Sequence, residues 1–227
     1  EPLINDVLDK RDDLILVDHG AGKSYLGFIL YDLLLKQLPK GQVVGIETRA
    51  ELVSKSQQLA QDCGFERMSF QHLTVAESMT SPTIPDSVDI VTALHACDTA
   101  TDDAIQFGLK KNALYMVLVP CCQAEVAGVL RKHKAESLSK TPLSELWRHP
   151  IHTREFGSQM TNVLRCLQLE AAGYKLTVTE LVGWEHSMKN ELIVAQYTGQ
   201  KRKSSRERLQ AILTEFNLNE MQQRFAS

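Results

Sequence analysis

The sequence predicts an α/β fold: a doubly wound, mainly parallel sheet with helices on both faces. Apolar runs of strand length recur at residues 14–17, 43–47, 68–73, 88–94 and 113–119. Stretches of helical spacing separate them, and this alternation is the pattern of a sheet built from βαβ units. Apart from 68–73, the runs are close to continuously apolar, as befits strands covered on both faces. A chain of 227 residues can bury a substantial core of this kind in one domain.

In chain order, residues 3–8 predict a short helix ahead of the first strand. Leu14, Ile15, Leu16 and Val17 then lead to Asp18 and a small turn, Gly20-Ala21-Gly22-Lys23-Ser24. Residues 24–38 place Leu26, Ile29, Leu30, Leu33, Leu34 and Leu38 at helical spacing, until Pro39 and Gly41 end the helix. The second strand ends in Glu47, 25 residues beyond Gly22, near the separation at which nucleotide-binding α/β folds place a ribose-binding carboxylate. The other reading of Glu47 is a helix-initiating acid before a helix over 50–63. Residues 74–85 form a Ser-, Thr- and Pro-rich loop. The fourth strand ends in His95-Ala96-Cys97-Asp98, Thr101 can cap a helix over 102–109, and the fifth strand ends in Pro120-Cys121-Cys122-Gln123. Residues 123–172 are helical or looped. Two further strands follow over 174–182 and 191–197, and then a basic tail that turns amphipathic over 209–216.

Glycines in the turn after the first strand let a ligand approach the backbone, since no Cβ intervenes. Two ligand classes fail on spacing. A phosphate-binding P-loop needs Gly where Val17 stands, and a dinucleotide fingerprint needs Gly where Tyr25 stands. Asp-x-Gly-x-Gly, with the acid at a strand tip, remains.

That pattern resembles motif I of the class I S-adenosylmethionine (SAM)-dependent methyltransferases. Five strand–helix units followed by a strand pair are similar to their Rossmann-like, seven-stranded sheet. Leu94-His95-Ala96-Cys97 with Ala100-Thr101-Asp102, Pro120-Cys121-Cys122, Asp18-His19-Gly20-Ala21-Gly22-Lys23 and Lys189-Asn190 narrow the likeness to one branch. That branch includes tRNA 2′-O-methyltransferase-like proteins and the methyltransferase portion of glutathione-S-transferase C-terminal-domain-containing proteins. The resemblance implies SAM as cofactor. Asp18, Gly20 and Gly22, within the run that also holds Ala21 and Lys23, would hold its methionine part. Glu47 would hold the ribose, Thr74 and Val75 the adenine edge, and His95 would sit beside the sulfonium. Ser24 stands where many members carry a third Gly, a difference met if Ser24 caps the helix. Thr74 stands where an acid or amide often meets the adenine amino group.

His95, Cys97, Cys121 and Cys122 follow neighbouring central strands, where the methyl group must be presented, and are the candidate catalytic residues. A thiolate nucleophile attacking a pyrimidine ring is one reading. A zinc site of these four side chains is a second, although adjacent cysteines fit one tetrahedral ion poorly and no Cys-x-x-Cys spacing occurs. A deaminase is excluded, because His95-Ala96-Cys97 lacks the necessary Glu. Packing of small, soft residues under the cofactor is the preferred reading, with no metal. His19, His72, His133, His149, His152 and His186 are expected at the surface or in packing.

Composition is ordinary, with 43% hydrophobic and 23% charged residues and a net charge of −3. No membrane span or signal peptide is recognisable. Five cysteines without a disulfide spacing predict reduced thiols and a cytoplasmic setting. A start at Glu1, directly before a helix-like segment, suggests a piece of a longer protein. The expected organisation is a methyltransferase domain over 1–199, with a helical insert at about 123–172, and a basic helical tail over 200–227. Residues 131–165 carry a local charge of +4 and residues 200–227 carry +3, against −10 for the rest. That separation of sign suits RNA, contacted through 131–165 and 201–208, as the acceptor of in-line methyl transfer. The alternatives are a small-molecule or protein acceptor, or a catalytically silent SAM-fold module that binds RNA or a protein partner.

Overall fold

The computed structural model describes residues 12–94, 98–121, 123–132, 142–180 and 191–226. Seven strands form one mixed sheet in the order β3 (Met68–His72), β2 (Gln42–Glu47), β1 (Ile15–His19), β4 (Ile90–Leu94), β5 (Tyr115–Val119), β7 (Glu191–Tyr197), β6 (Tyr174–Glu180), with helices around it. The expected α/β class is what forms. The chain divides into two compact units. One holds the described residues up to 94 together with 103–118, and the other holds 98–102 and the described residues from 119 onward.

In the first unit, β1 (Ile15–His19) lies between β2 (Gln42–Glu47) and β4 (Ile90–Leu94), parallel to both. β3 (Met68–His72) extends the sheet beyond β2, also in parallel. Asp18 pairs in register with Gly45 of β2 and with Thr92 of β4. Leu16, Val17, Val43, Val91 and Ala93 are fully shielded, which is why these runs carry no polar alternation. Each of the Leu and Val side chains contributes about 1.5–3 kcal/mol by leaving water. The helix after the turn, α1 (Tyr25–Leu33), packs Tyr31 and then Leu34 and Leu35 onto Leu14, Leu16 and Val43. Tyr31 stacks on Phe65 at 4.4 Å, and Phe28 on Phe70 at 5.9 Å. α2 (Ala50–Asp62) adds Ala60 to the same core.

Several expectations shift. The helix foreseen over 24–38 ends at Leu33, and a 3-10 turn (Leu35–Gln37) follows. Ile29 and Leu33, expected on its inward stripe, are 53% and 57% exposed, because the aromatic pairs rotate the helix to face Tyr31 and Phe28 inward. Residues 74–85 contain one helical turn, α3 (Val75–Ser78). α4 (Thr99–Lys110) begins before Thr101, so Thr101 is a buried residue of the first turn and not its cap. Residues 3–8 lie outside the described residues.

In the second unit, β5 (Tyr115–Val119) hands the chain on at Val119 to α5 (Glu125–Lys132), a 3-10 segment (Pro142–Trp147) and α6 (Pro150–Ala172). Pro150 occupies the first turn of α6, where its missing N–H costs nothing, and Gly173 ends the helix at φ 105°. β6 (Tyr174–Glu180) and β7 (Glu191–Tyr197) pair antiparallel over their whole length. α7 (Lys203–Glu215) is no detached tail. Leu209, Leu213, Leu218, Met221 and Phe225 share one core with Val126, Val129, Leu130, Leu164 and Leu167, so a domain boundary at 199/200 would cut through packed side chains. Among the described residues no helix is long and apolar enough to cross a membrane.

Candidate functional site

The apolar sequence of β1 drives its tip into the interior and takes two polar residues with it. Asp18 is 2% exposed and His19 1%. After them the chain reverses through Gly20 at φ 61° and Gly22 at φ 56°, left-handed conformations that a Cβ would strain. Ser24 is also left-handed, at φ 50°, which accounts for the glycine that related turns use there. Its side chain makes no capping bond to the helix, contrary to expectation. The hydroxyl donates instead to Asp18 Oδ2 at 2.8 Å. Thr92, opposite Asp18 in register, donates to Oδ1 at 2.6 Å. Asp18 thereby ties β1, β4 and the turn together. Burial raises its pKa, and the two hydroxyl bonds only partly offset that.

The turn is anchored on its other side by β2. The Ala21 amide donates to the Ile46 carbonyl at 3.0 Å, and the Gly22 amide to Glu47 Oε2 at 2.8 Å. The Glu47 side chain is only 4% exposed. Besides Gly22 it accepts the Arg49 amide at 3.0 Å, Thr48 Oγ1 at 3.3 Å, Arg49 Nε at 3.0 Å and an Arg49 terminal nitrogen at 3.1 Å. Burial opposes ionisation, but the bonds from Arg49 and Gly22 outweigh it and bring the pKa down to about 2. A helix-initiating role does not describe Glu47, since Arg49 occupies the cap position of α2.

Beside the β1 tip lies a cleft of about 260 Å³, lined by Asp18, the Gly20–Gly22 turn, Lys23, Arg49 and Leu94, with Glu47 behind the Arg49 side chain and not itself on the lining. A Cβ on Gly22 would meet the Arg49 fork and the Gly20 carbonyl only at 3.8 Å, an ordinary contact, so what calls for glycine here is the left-handed backbone and not a lack of space. A ligand lying along the turn would meet the Glu47 carboxylate only past the Arg49 fork. Lys23 is exposed, with its ammonium 6.0 Å from the Tyr25 ring centroid. Thr74 and Val75 do not line the cleft. Thr74 closes a capping box with Glu77, its hydroxyl accepting from the Glu77 amide at 3.2 Å and its amide donating to Glu77 Oε2 at 2.8 Å.

His95, Cys97 and Cys122 lie outside the described residues, as do Lys189, Asn190, His133 and His186. Of the proposed catalytic set only Cys121 is described, and it is half-buried. Cys166, inside α6, has its thiol pushed up to about 12 by burial, helped by Glu191 and Glu170, so it is no nucleophile at neutral pH. Among the described residues no cluster of His, Cys, Asp or Glu is arranged for a metal ion. His19 is a packing residue, edge-on to Phe107 at 4.3 Å, and its ring nitrogens have no hydrogen-bond partner among the described residues. Sequence reasoning did not single out Thr92 or Arg49. The only signal for Thr92 was a hydroxyl in the otherwise apolar run Ile90-Val91-Thr92-Ala93-Leu94.

The second unit holds a separate polar cluster. Arg165, counted above among the basic residues of 131–165, is 0% exposed and grips Asp102 through two bonds of 2.7 and 2.8 Å. It offers nothing to a phosphate. Arg165 also donates to Asn162, whose amide donates to Glu191 at 2.7 Å, and Ser158 donates to Gln123. A pocket of about 570 Å³ opens here, lined by Gln123, Ser158, Asn162, Glu155, Glu180 and Glu191.

Residues 1–129, more than half the chain, match the family described as Methyltransferase domain. Two relatives carry the name glutathione S-transferase C-terminal domain-containing protein homolog. The one from Drosophila melanogaster is 25% identical over 208 residues and the one from Drosophila pseudoobscura pseudoobscura 23% over 206. Each match covers 82% of this chain and 33% of the relative, so the chain spans about a third of the length of these relatives. In three dimensions an rRNA methylase from Streptococcus thermophilus is similar at a TM-score of 0.52, with 12% identity, over 86% of this chain and 92% of that one.

Proposed function

This chain belongs to the methyltransferase-domain family, and from that premise we propose that it methylates RNA with SAM held between the β1 turn and Glu47. SAM supplies an electrophilic methyl group on a sulfonium, which the acceptor's nucleophile takes in line. The observation that carries the reading is the pair of buried carboxylates at the tips of adjacent parallel strands, with the Gly20–Gly22 turn between them. Ligands of open α/β sheets sit at this edge. In this reading Glu47 accepts the ribose hydroxyls. Asp18 keeps the turn in shape by holding Ser24 and Thr92, and Gly22 supplies the left-handed backbone that the turn needs. Cys121 and Cys122 act by packing, so Cys121→Ser and Cys122→Ser each retain turnover, whereas loss of a nucleophile would abolish it.

The choice of RNA rests on exposed basic residues, Arg131 and Lys132 in the last turn of α5 and Lys201 before α7. The test is transfer of labelled methyl from SAM to cellular RNA, with binding measured across a salt series. RNA affinity should fall steeply with salt, and replacing Arg131, Lys132 and Lys134 together with Ala should flatten that slope while leaving SAM affinity intact. Salt-independent binding would remove RNA as the acceptor. The pocket of the second unit favours one alternative, because Glu155, Glu180 and Glu191 suit a cationic small molecule or protein side chain. Label appearing in those fractions and not in RNA would select it.

A further inference from the structure

We propose that Arg49 is an internal stand-in for the ribose: its guanidinium occupies the positions on Glu47 that the two ribose hydroxyls take, and it must swing away for a nucleoside ligand to bind. This rests on the reading of Glu47 as the ribose carboxylate.

Glu47 receives five hydrogen bonds, and they fall into two groups. Three come from the Gly22 amide, the Arg49 amide and the neighbouring Thr48 hydroxyl, and these hold the carboxylate in place whatever the Arg49 side chain does. The other two come from the Arg49 fork. Nε donates to Oε1 and a terminal nitrogen to Oε2, one N–H to each oxygen. A vicinal diol would present its two O–H groups to a carboxylate in the same way, one to each oxygen. The fork also lies on the open side: the Arg49 side chain is 61% exposed while Glu47 is 4%, and Arg49 lines the cleft. Diol and fork therefore compete for the same lone pairs. Glu47 stays partnered in either state, so no buried charge is stranded between them. A half-exposed ion pair is weak enough for a ligand to displace.

The arrangement predicts an unusual sign. Removing a charged side chain from a ligand cleft ordinarily weakens binding, but here it should strengthen it. Isothermal titration of the intact chain with S-adenosylhomocysteine should show Arg49→Ala binding about three- to tenfold more tightly than the wild type, about 0.7–1.4 kcal/mol. Adenosine should gain similarly. 2′-Deoxyadenosine, which can engage only one of the vacated positions, should gain less. Wild-type affinity for S-adenosylhomocysteine should rise with salt as the ion pair is screened, and that of Arg49→Ala should not. The salt series on the wild type tests the idea without any variant. Equal affinities in the two proteins, or weaker binding by Arg49→Ala, overturns the proposal while leaving the cofactor assignment standing. If neither protein binds S-adenosylhomocysteine, the cofactor assignment falls and takes this inference with it.

Discussion

The tips of β1 and β2 carry buried carboxylates that behave in opposite ways. Asp18 and Glu47 are 2% and 4% exposed, yet burial raises the pKa of the first while that of the second falls to about 2. Depth and partners make the difference: burial weighs more heavily on Asp18 than on Glu47. Asp18 is met by two neutral hydroxyls, whereas Glu47 is met by a guanidinium and two backbone amides. Charged donors are worth roughly twice neutral ones, enough to reverse a desolvation penalty of similar origin. One tip is thus a structural tie and the other an ion held ready.

The largest effect should come from breaking the tie. Asp18→Ala strands the Thr92 and Ser24 hydroxyls in the interior and should cost about 2–4 kcal/mol in urea unfolding. Asp18→Asn keeps the shape and should cost markedly less. Equal losses in the two would mean that both oxygens of Asp18 must accept, since an amide offers one acceptor where the carboxylate offers two. At the other tip, Glu47→Ala should weaken S-adenosylhomocysteine by about 1.5–3 kcal/mol in titration calorimetry. Unchanged affinity there would dissolve the functional half of the comparison.

A smaller effect concerns acid. His19 has its pKa lowered to about 3 by burial, against an ordinary value of 6.5. Between those values the unfolded chain binds a proton that the folded chain does not, so stability should fall as pH drops through that window. Glu47 adds to the loss below its ordinary value of 4.5 and down to about 2, while Asp18, shifted upward, works against it. His19→Phe should flatten the dependence of melting temperature on pH between 6.5 and 4. Ser24→Gly should be the mildest change. It relieves a left-handed serine but removes one bond to Asp18, and the two should cancel to within about 0.5 kcal/mol.

The strands β1, β2, β4 and β5 were legible because burial on both faces leaves a near-continuous apolar signature, and β7 emerges with the very bounds that its residues suggested. The turn was legible because only small residues tolerate its backbone. What the chain conceals is who meets whom. Arg49 looks like any cation before a helix, and only the fold lays its side chain along Glu47. Arg165 was misjudged for a related reason, since counting charges says nothing of direction. Its neighbours did hold a clue: Ser158, Thr161, Asn162, Arg165 and Gln168 recur at helical spacing, and all five are buried. That is a polar stripe facing inward, where an arginine needs an acid from another element, and Asp102 provides it.

The imidazole of His19, buried beside Phe107, makes the first unit its own reporter. A reagent such as diethylpyrocarbonate acylates accessible neutral imidazoles, so it should spare this one for as long as the unit stays shut. The rate at which His19 becomes labelled, followed by peptide mass spectrometry, then measures how often β1 is laid bare.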